Sequence, residues 1–165
     1  MRGVTLIELV MVMVLLMILA GVVAPRFTDS IPALRVQSAT DQTYAGLHKA
    51  RNDAAIYGLR TRFAVHKENR TWRVTIELRP LKQPDVFTSI DMSWDTTTFP
   101  EGVEAATLDG FKQDSDTGEY YLEFRGDGTA EQDATITLKN EEGDERTLKV
   151  TGTTGRIAFV EAVSE

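Results

Sequence analysis

Gly3-Val4-Thr5-Leu6-Ile7-Glu8-Leu9-Val10-Met11-Val12-Met13-Val14-Leu15-Leu16-Met17-Ile18-Leu19-Ala20-Gly21-Val22-Val23-Ala24 follows Met1 and Arg2. From Val4 to Ala24 there are 21 residues and one ionisable side chain, Glu8. As a helix this run reaches about 31 Å, enough to cross the hydrocarbon of a bilayer. It is apolar on every face, so no amphipathic period selects a soluble core, and lipid or other copies of the run are its expected surroundings. A removed secretory signal fits poorly. Arg2 is the only charge before the run, the run exceeds an ordinary signal core, and the small-residue site at Ala24 is followed by Pro25. A buried helix of this length would need an apolar shell that a small domain hardly supplies. An anchor remains, and it leaves Glu8 to be explained. A comparable Asp inside hydrocarbon costs about 2.5–3.5 kcal/mol on insertion scales. Glu8 in the first helical turn gains from the positive end of the helix dipole, which is a purely local reading. A charged partner in a helix bundle is the other.

The whole chain has 165 residues, 42% of them hydrophobic and 26% charged, which describes about one folded domain. It contains no cysteine, which excludes disulfides, a thiolate nucleophile and cysteine-based zinc sites. The net charge of -7 is unevenly distributed. Arg26 to Arg79 carries 10 basic and 5 acidic residues, whereas Pro80 to Glu165 carries 7 basic and 19 acidic. The acidic second half argues against a nucleic-acid partner.

Beyond Ala24, Pro25 and Pro32 should bend or loosen the helix without ending it. Phe27, Ile31, Leu34, Tyr44, Leu47, Ala50, Ala54 and Tyr57 recur at near-helical spacing, with polar Ser38 and Thr40 interrupting the stripe, and Gly58 is a suitable terminator. An amphipathic helix is expected over 25–58. After Gly58 the period shifts toward two. Thr61 to His66 and Thr71 to Leu78, joined through Glu68-Asn69-Arg70, predict a hairpin. Val86 to Met92, Tyr120 to Phe124, Thr135 to Lys139, Arg146 to Val150 and Arg156 to Val160 are further strand candidates. The expected class is α+β, with one long N-terminal helix packed on a mainly antiparallel β-sheet domain spanning 59–165.

The segment Gly3-Val4-Thr5-Leu6-Ile7-Glu8-Leu9 resembles the type IV prepilin processing motif, with a short basic leader, a Gly at the cut, an acid at the fifth mature position and an unbroken apolar helix beyond. Ala50-Arg51-Asn52-Asp53-Ala54-Ala55-Ile56, Phe124-Arg125-Gly126-Asp127-Gly128-Thr129-Ala130, Ala134 to Leu138 and Thr154-Gly155-Arg156-Ile157 are similar, in that order, to segments of the GspH/FimT family of minor pseudopilins and minor pilins. Pro80 to Tyr120 carries no matching motif. The resemblance implies a pilin-like fold. It also implies that residues 1–3 are a leader, that a prepilin peptidase cuts between Gly3 and Val4, and that Val4 is N-methylated. Glu8 would then pair with the terminal amine of a neighbouring subunit in the filament. A single-pass inner-membrane protein with its C-terminal domain in the periplasm is implied. Its partners would be the other minor pseudopilins, the major pseudopilin and the inner-membrane assembly platform, near the tip of a type II secretion pseudopilus. The alternatives are a minor type IV pilin for pilus assembly, or a FimT-like pilin for DNA uptake. Neither a cofactor nor enzymatic activity is implied.

Other chemistry is thinly represented. Asp114-Ser115-Asp116-Thr117-Gly118-Glu119 suggests calcium, but an EF-hand loop begun at Asp114 would need an oxygen ligand at Gly118 and Glu at Arg125, so an acidic solvated turn is expected. His48 and His66 are the only histidines, each read as an exposed residue at an element boundary, and no catalytic triad, paired-acid or phosphate-loop constellation assembles around them. Arg60, Arg62, Lys67, Arg70, Arg73 and Arg79 form the strongest basic cluster. It reads as a solvated sheet face, as a surface that pairs with acidic neighbouring subunits, or as a DNA-capture patch.

Overall fold

The computed structural model describes residues 5–28, 31–89 and 96–160, with side chains of 20–28 left aside. Among the described residues two helices, α1 (Leu6–Thr28) and α2 (Ile31–Tyr57), precede nine strands. Pro25 lies inside α1, and Pro32 is the second residue of α2, where no intrahelical N–H is required. Gly58 ends α2 as expected. It adopts φ +64°, and the Leu59 N–H reaches back to the Ala54 carbonyl at 3.3 Å, the six-to-one bond of a Schellman cap.

The buried face of α2 is Val36, Ala39, Thr40, Thr43, Gly46, Leu47, Ala50 and Ala54. It shares Leu47, Ala50 and Ala54 with the expected stripe, but Ile31, Leu34 and Tyr57 are exposed. The true stripe is made of small residues and includes two threonines, because hydroxyls in the core can be satisfied locally. Thr40 donates to the Val36 carbonyl at 2.7 Å and Thr43 to the Ala39 carbonyl at 2.8 Å.

The strands form two antiparallel sheets. The first has the order β3 (Thr97–Thr98), β2 (Thr71–Ile76), β1 (Thr61–His66), β6 (Tyr120–Phe124), β5 (Lys112–Gln113). The second has the order β4 (Glu104–Asp109), β7 (Ala134–Lys139), β8 (Glu145–Thr151), β9 (Arg156–Val160). Packing of α2 engages β1, β2 and β6 of one sheet and β7, β8 and β9 of the other, so the helix is the spine of a shared core. The predicted β1–β2 hairpin forms with Phe63 opposite Val74 and Val65 opposite Trp72. Of the Val86 to Met92 candidate, residues 90–92 lie outside the described residues, and the remainder makes one bridge, Thr88 to Ile76. β3, β4 and β5 carry no strong period in the sequence and are held by pairing with β2, β7 and β6.

The basic cluster lies largely on and around the first sheet, and its charges are taken up within the fold. Arg60 forms a bidentate pair with Glu77, both distances 2.8 Å, and reaches Asp85 at 2.6 Å and Glu123 at 3.3 Å. Arg62 binds Glu123 at 2.7 Å and lies between the rings of Phe87 and Tyr121, 3.8 and 4.2 Å from their centroids. Arg73 binds Glu119 at 2.7 Å, Lys67 donates to the Ala106 carbonyl, and Arg70 donates to the carbonyls of Pro100 and Val103. These contacts engage most of the cluster's charges within the fold. They also clamp the segment after β2 onto the sheet, since Glu77 further accepts the Asp85 N–H.

Helix and sheet approach closely at Gly46. A Cβ built there would stand 2.5 Å from Trp72 Cζ3 and 3.0 Å from Phe63 Cε2. Gly46→Ala, which raises helix propensity, is therefore expected to destabilise the protein by about 1–3 kcal/mol through overpacking. Urea unfolding of the two chains measures it. Glu77 is buried, and the Arg60 hydrogen bonds hold its carboxyl below the ordinary value of 4.5. Between the two pKa values the folded state binds fewer protons than the unfolded chain. The pair's contribution is thus complete above about pH 4.5 and drains away as pH falls through the lower, folded value. Arg60→Ala leaves that carboxylate buried without its main partner and is expected to cost roughly 2–4 kcal/mol, discounted for the part-exposed guanidinium. Stability measured from pH 7 to 3 should fall less steeply in Glu77→Gln than in the parent.

Candidate functional site

The feature that the fold leaves unexplained is α1. Every large apolar side chain from Leu6 to Leu19 is 48–83% exposed, around the whole circumference of the helix. A contiguous surface of this kind is stable in water only when something covers it. The domain's own core is meanwhile complete, with Phe63, Trp72, Phe124, Ile136, Leu138 and Leu148 fully buried around α2. Among the described residues, no helix is long and apolar enough to cross a membrane, the described side chains of α1 ending at Leu19.

Glu8 stands at the beginning of this stem. Thr5 caps the helix, its carbonyl accepting the Glu8 N–H at 3.1 Å and its Oγ1 lying 3.4 Å from the same nitrogen. Thr5-Leu6-Ile7-Glu8 is thus the Thr-x-x-Glu pattern of a capping box, which places the acid in the first turn as the dipole argument requires. The carboxylate is in no ion pair among the described residues and projects from an otherwise apolar cylinder. Gly3 and Val4, the residues read as a processing site, lie outside the described residues, as does Arg2.

Three of the short motifs matched in sequence converge at the far end of α2. Arg51 Nε donates to the Gly128 carbonyl at 3.4 Å, and a Cβ on Gly155 would collide with that same carbonyl. Gly126 packs on the backbone of Gly58, with only 2.5 Å between a built Cβ and the Gly58 carbonyl. Their glycines thus let two turns close over a helix terminus, which is packing rather than chemistry. Gly128 at φ +80° and Gly155 at φ +61° also need the left-handed region.

The remaining candidates resolve into local structure. Asp114 Oδ1 accepts the N–H groups of Asp116 and Thr117, which hold its carboxyl below the ordinary value, as in an Asx turn. No group of three or more His, Asp or Glu side chains converges to hold a metal among the described residues. His66 Nδ1 accepts the Asn69 N–H and closes the β1–β2 turn. His48 departs from the boundary position expected of it. It is half-buried in mid-helix, with its ring 4.4 Å from that of Tyr44, and burial followed by the nearby Arg51 pushes its pKa down. The internal pairing of Arg60, Arg62 and Arg73 had a legible component, six basic residues in twenty, but their partners at Glu77, Glu119 and Glu123 are set by strand register.

Comparison with known proteins agrees with this geometry. A search of curated proteins finds no match to the sequence. Among solved structures, the fold is similar to the minor pseudopilin EpsH from the type 2 secretion system of Vibrio cholerae, at 13% identity and TM-score 0.58, over 79% of this chain and 99% of that one. It is also similar to the type IV minor pilin FimU of Pseudomonas aeruginosa, at 16% identity and TM-score 0.53, over 76% of this chain and 88% of that one. The expected pilin-like α+β fold is thereby shown. Residues 39–155 match the family described as type II transport protein GspH, so the chain belongs to the GspH family.

Proposed function

We propose that this chain is a minor pseudopilin, a non-catalytic building block near the tip of a type II secretion pseudopilus. The observation that carries the reading is the combination of a finished β-domain core with an apolar stem that none of the described residues covers. Before assembly, residues 4–24 are anchored in the inner membrane with the β-domain in the periplasm, and afterwards the stem packs among the stems of neighbouring subunits. The short range of van der Waals packing suits such a transfer, because lipid tails and apolar helices offer the stem similar surroundings.

Within this reading a prepilin peptidase cuts between Gly3 and Val4 and methylates Val4. The freed cationic amine of one subunit then meets Glu8 of another inside the bundle, where low dielectric strengthens the attraction and leaves an unpaired carboxylate expensive. Assembly partners are the other minor pseudopilins, the major pseudopilin and the inner-membrane platform. The likeness to FimU keeps a second reading, a minor type IV pilin, on the same physical footing, since one stem and one fold serve either filament. Loss of secretion on deleting the gene supports the first reading, whereas loss of surface pili with secretion intact supports the second.

Mass spectrometry of the membrane-extracted protein should show loss of Met1 to Gly3 and one added methyl group on Val4. An intact N-terminus, or a cut after Ala24, would refute the processing step. Glu8→Ala should leave cleavage unchanged and lower incorporation into filaments by at least about tenfold, as expected for a buried amine left unpaired. Quantitative immunoblotting of sheared filaments against the membrane fraction reads this, and wild-type incorporation of the variant would remove the pairing role.

A further inference from the structure

The two sheets end in four edge strands, and three of these carry features that discourage pairing with another chain. β3 and β5 are two residues each, and β4 has a register shift between Ala105 and Thr107. β9 has none of these features. It runs for five residues in unbroken register with β8, from Arg156 opposite Thr151 to Val160 opposite Thr147, and contains no proline, lysine or acid. Among the described residues β9 pairs only with β8. Its inward side is apolar and partly uncovered. Ile157 is buried, while Phe159 stacks on Tyr44 with centroids 4.9 Å apart yet remains 47% exposed. Beside it a groove of about 640 Å³ opens, with Ala33 and Val36 of α2 and Phe159 and Val160 of β9 on its apolar side and Glu145, Arg146 and Thr147 of β8, with Asp144 before it, on its polar side.

We infer that β9 is an acceptor edge, to which a neighbouring filament subunit adds an extended segment as the fifth strand of the second sheet. This rests on the filament-subunit reading above. Main-chain hydrogen bonds would supply the affinity, and alternate apolar side chains of the incoming segment would cover the exposed ring of Phe159. On the opposite face Lys149 and Arg156 are exposed on the same side of the sheet, so the complementary segment carries acidic side chains there.

A second copy does not fit this edge. Antiparallel pairing of β9 with its own copy needs a two-fold axis along the sheet normal. Because the sheet packs face-on against α2, that axis is perpendicular to the helix and would reverse the partner's α2. Subunits that leave one membrane side by side have their helices pointing the same way.

Hydrogen exchange on the full chain in detergent micelles, alone and co-purified with the other pilin-like subunits of its host, tests the edge. In the complex, alternate amides of residues 156–160 should slow by about 100-fold or more, as expected when free edge N–H groups become bonded, while β3 and β5 stay unchanged. Phe159→Lys, an inward charge on the edge, should lower co-purification by about tenfold or more, whereas Gln113→Lys on β5 should not. Fast β9 amides in a chain that does co-purify would overturn the edge pairing and leave the filament reading standing. Slow β9 amides in the isolated chain at doubled mass would assign the edge to a second copy and overturn it as well. A chain that never co-purifies with those subunits overturns both.

Discussion

Two sheets sharing one helix is the constraint from which the rest of the domain follows. A helix packed on one side can present Leu and Ile on a broad stripe, but α2 is approached by β1, β2 and β6 from one sheet and by β7, β8 and β9 from the other. Its buried positions are therefore mostly Ala, Thr, Gly and Val, and bulk comes from the sheets as Phe63, Trp72, Phe124, Ile136, Leu138 and Leu148. Close packing at crystal-like density demands that large and small residues alternate across such a contact. The Thr61 hydroxyl, donating to the Ala50 carbonyl at 2.7 Å, pins the first strand to the helix at the same interface.

The same economy governs charge. The chain divides into a basic middle and an acidic second half, and folding brings the two together. Arg60 and Arg62 meet Glu123 and Arg73 meets Glu119 across that division, while Arg60 pairs with Glu77 within the basic middle, and Lys112 with Glu131 and Lys139 with Glu104 within the acidic half. Most of these pairs are surface contacts of small individual worth. Arg60 differs because one of its partners, Glu77, is only 1% exposed, and a charge so placed must remain paired or be neutralised. The β-domain is consequently self-sufficient in core and largely so in charge. What it leaves open is an apolar stem and one plain sheet edge, both suited to neighbours in an assembly.

The helical stem, the end of α2 at Gly58, the β1–β2 hairpin and the strands β6 to β9 were all legible in the residues, because each is written in spacing or in a turn between chain neighbours. The core face of α2 was not. Reading Ile31, Leu34 and Tyr57 as inward and Thr40 as an interruption treated polarity as exposure, whereas a hydroxyl bonded to the carbonyl four residues back is at home in a core. β4, Glu-Ala-Ala-Thr-Leu-Asp, has little strand character of its own and owes its form to β7. The family motifs around Arg51, Gly128 and Gly155 were visible as a sequence of weak likenesses, and their common purpose emerged only when they were found in contact.

Local pattern was thus sufficient for the kind of molecule: an apolar stem with one acid near its start, helix continuing to Gly58, and β-structure after it. It was insufficient for the division of strands into two sheets, for the partners of the basic residues and for the identity of the exposed edge. Those depend on residues far apart in the chain, such as Arg60 with Glu123 or β1 with β6, and sequence spacing carries no record of which distant strand will arrive alongside. Gly46 shows the difference in a single residue. Helix propensity counts it as a weakness, and the indole of Trp72, a hairpin away, makes it the only side chain that fits.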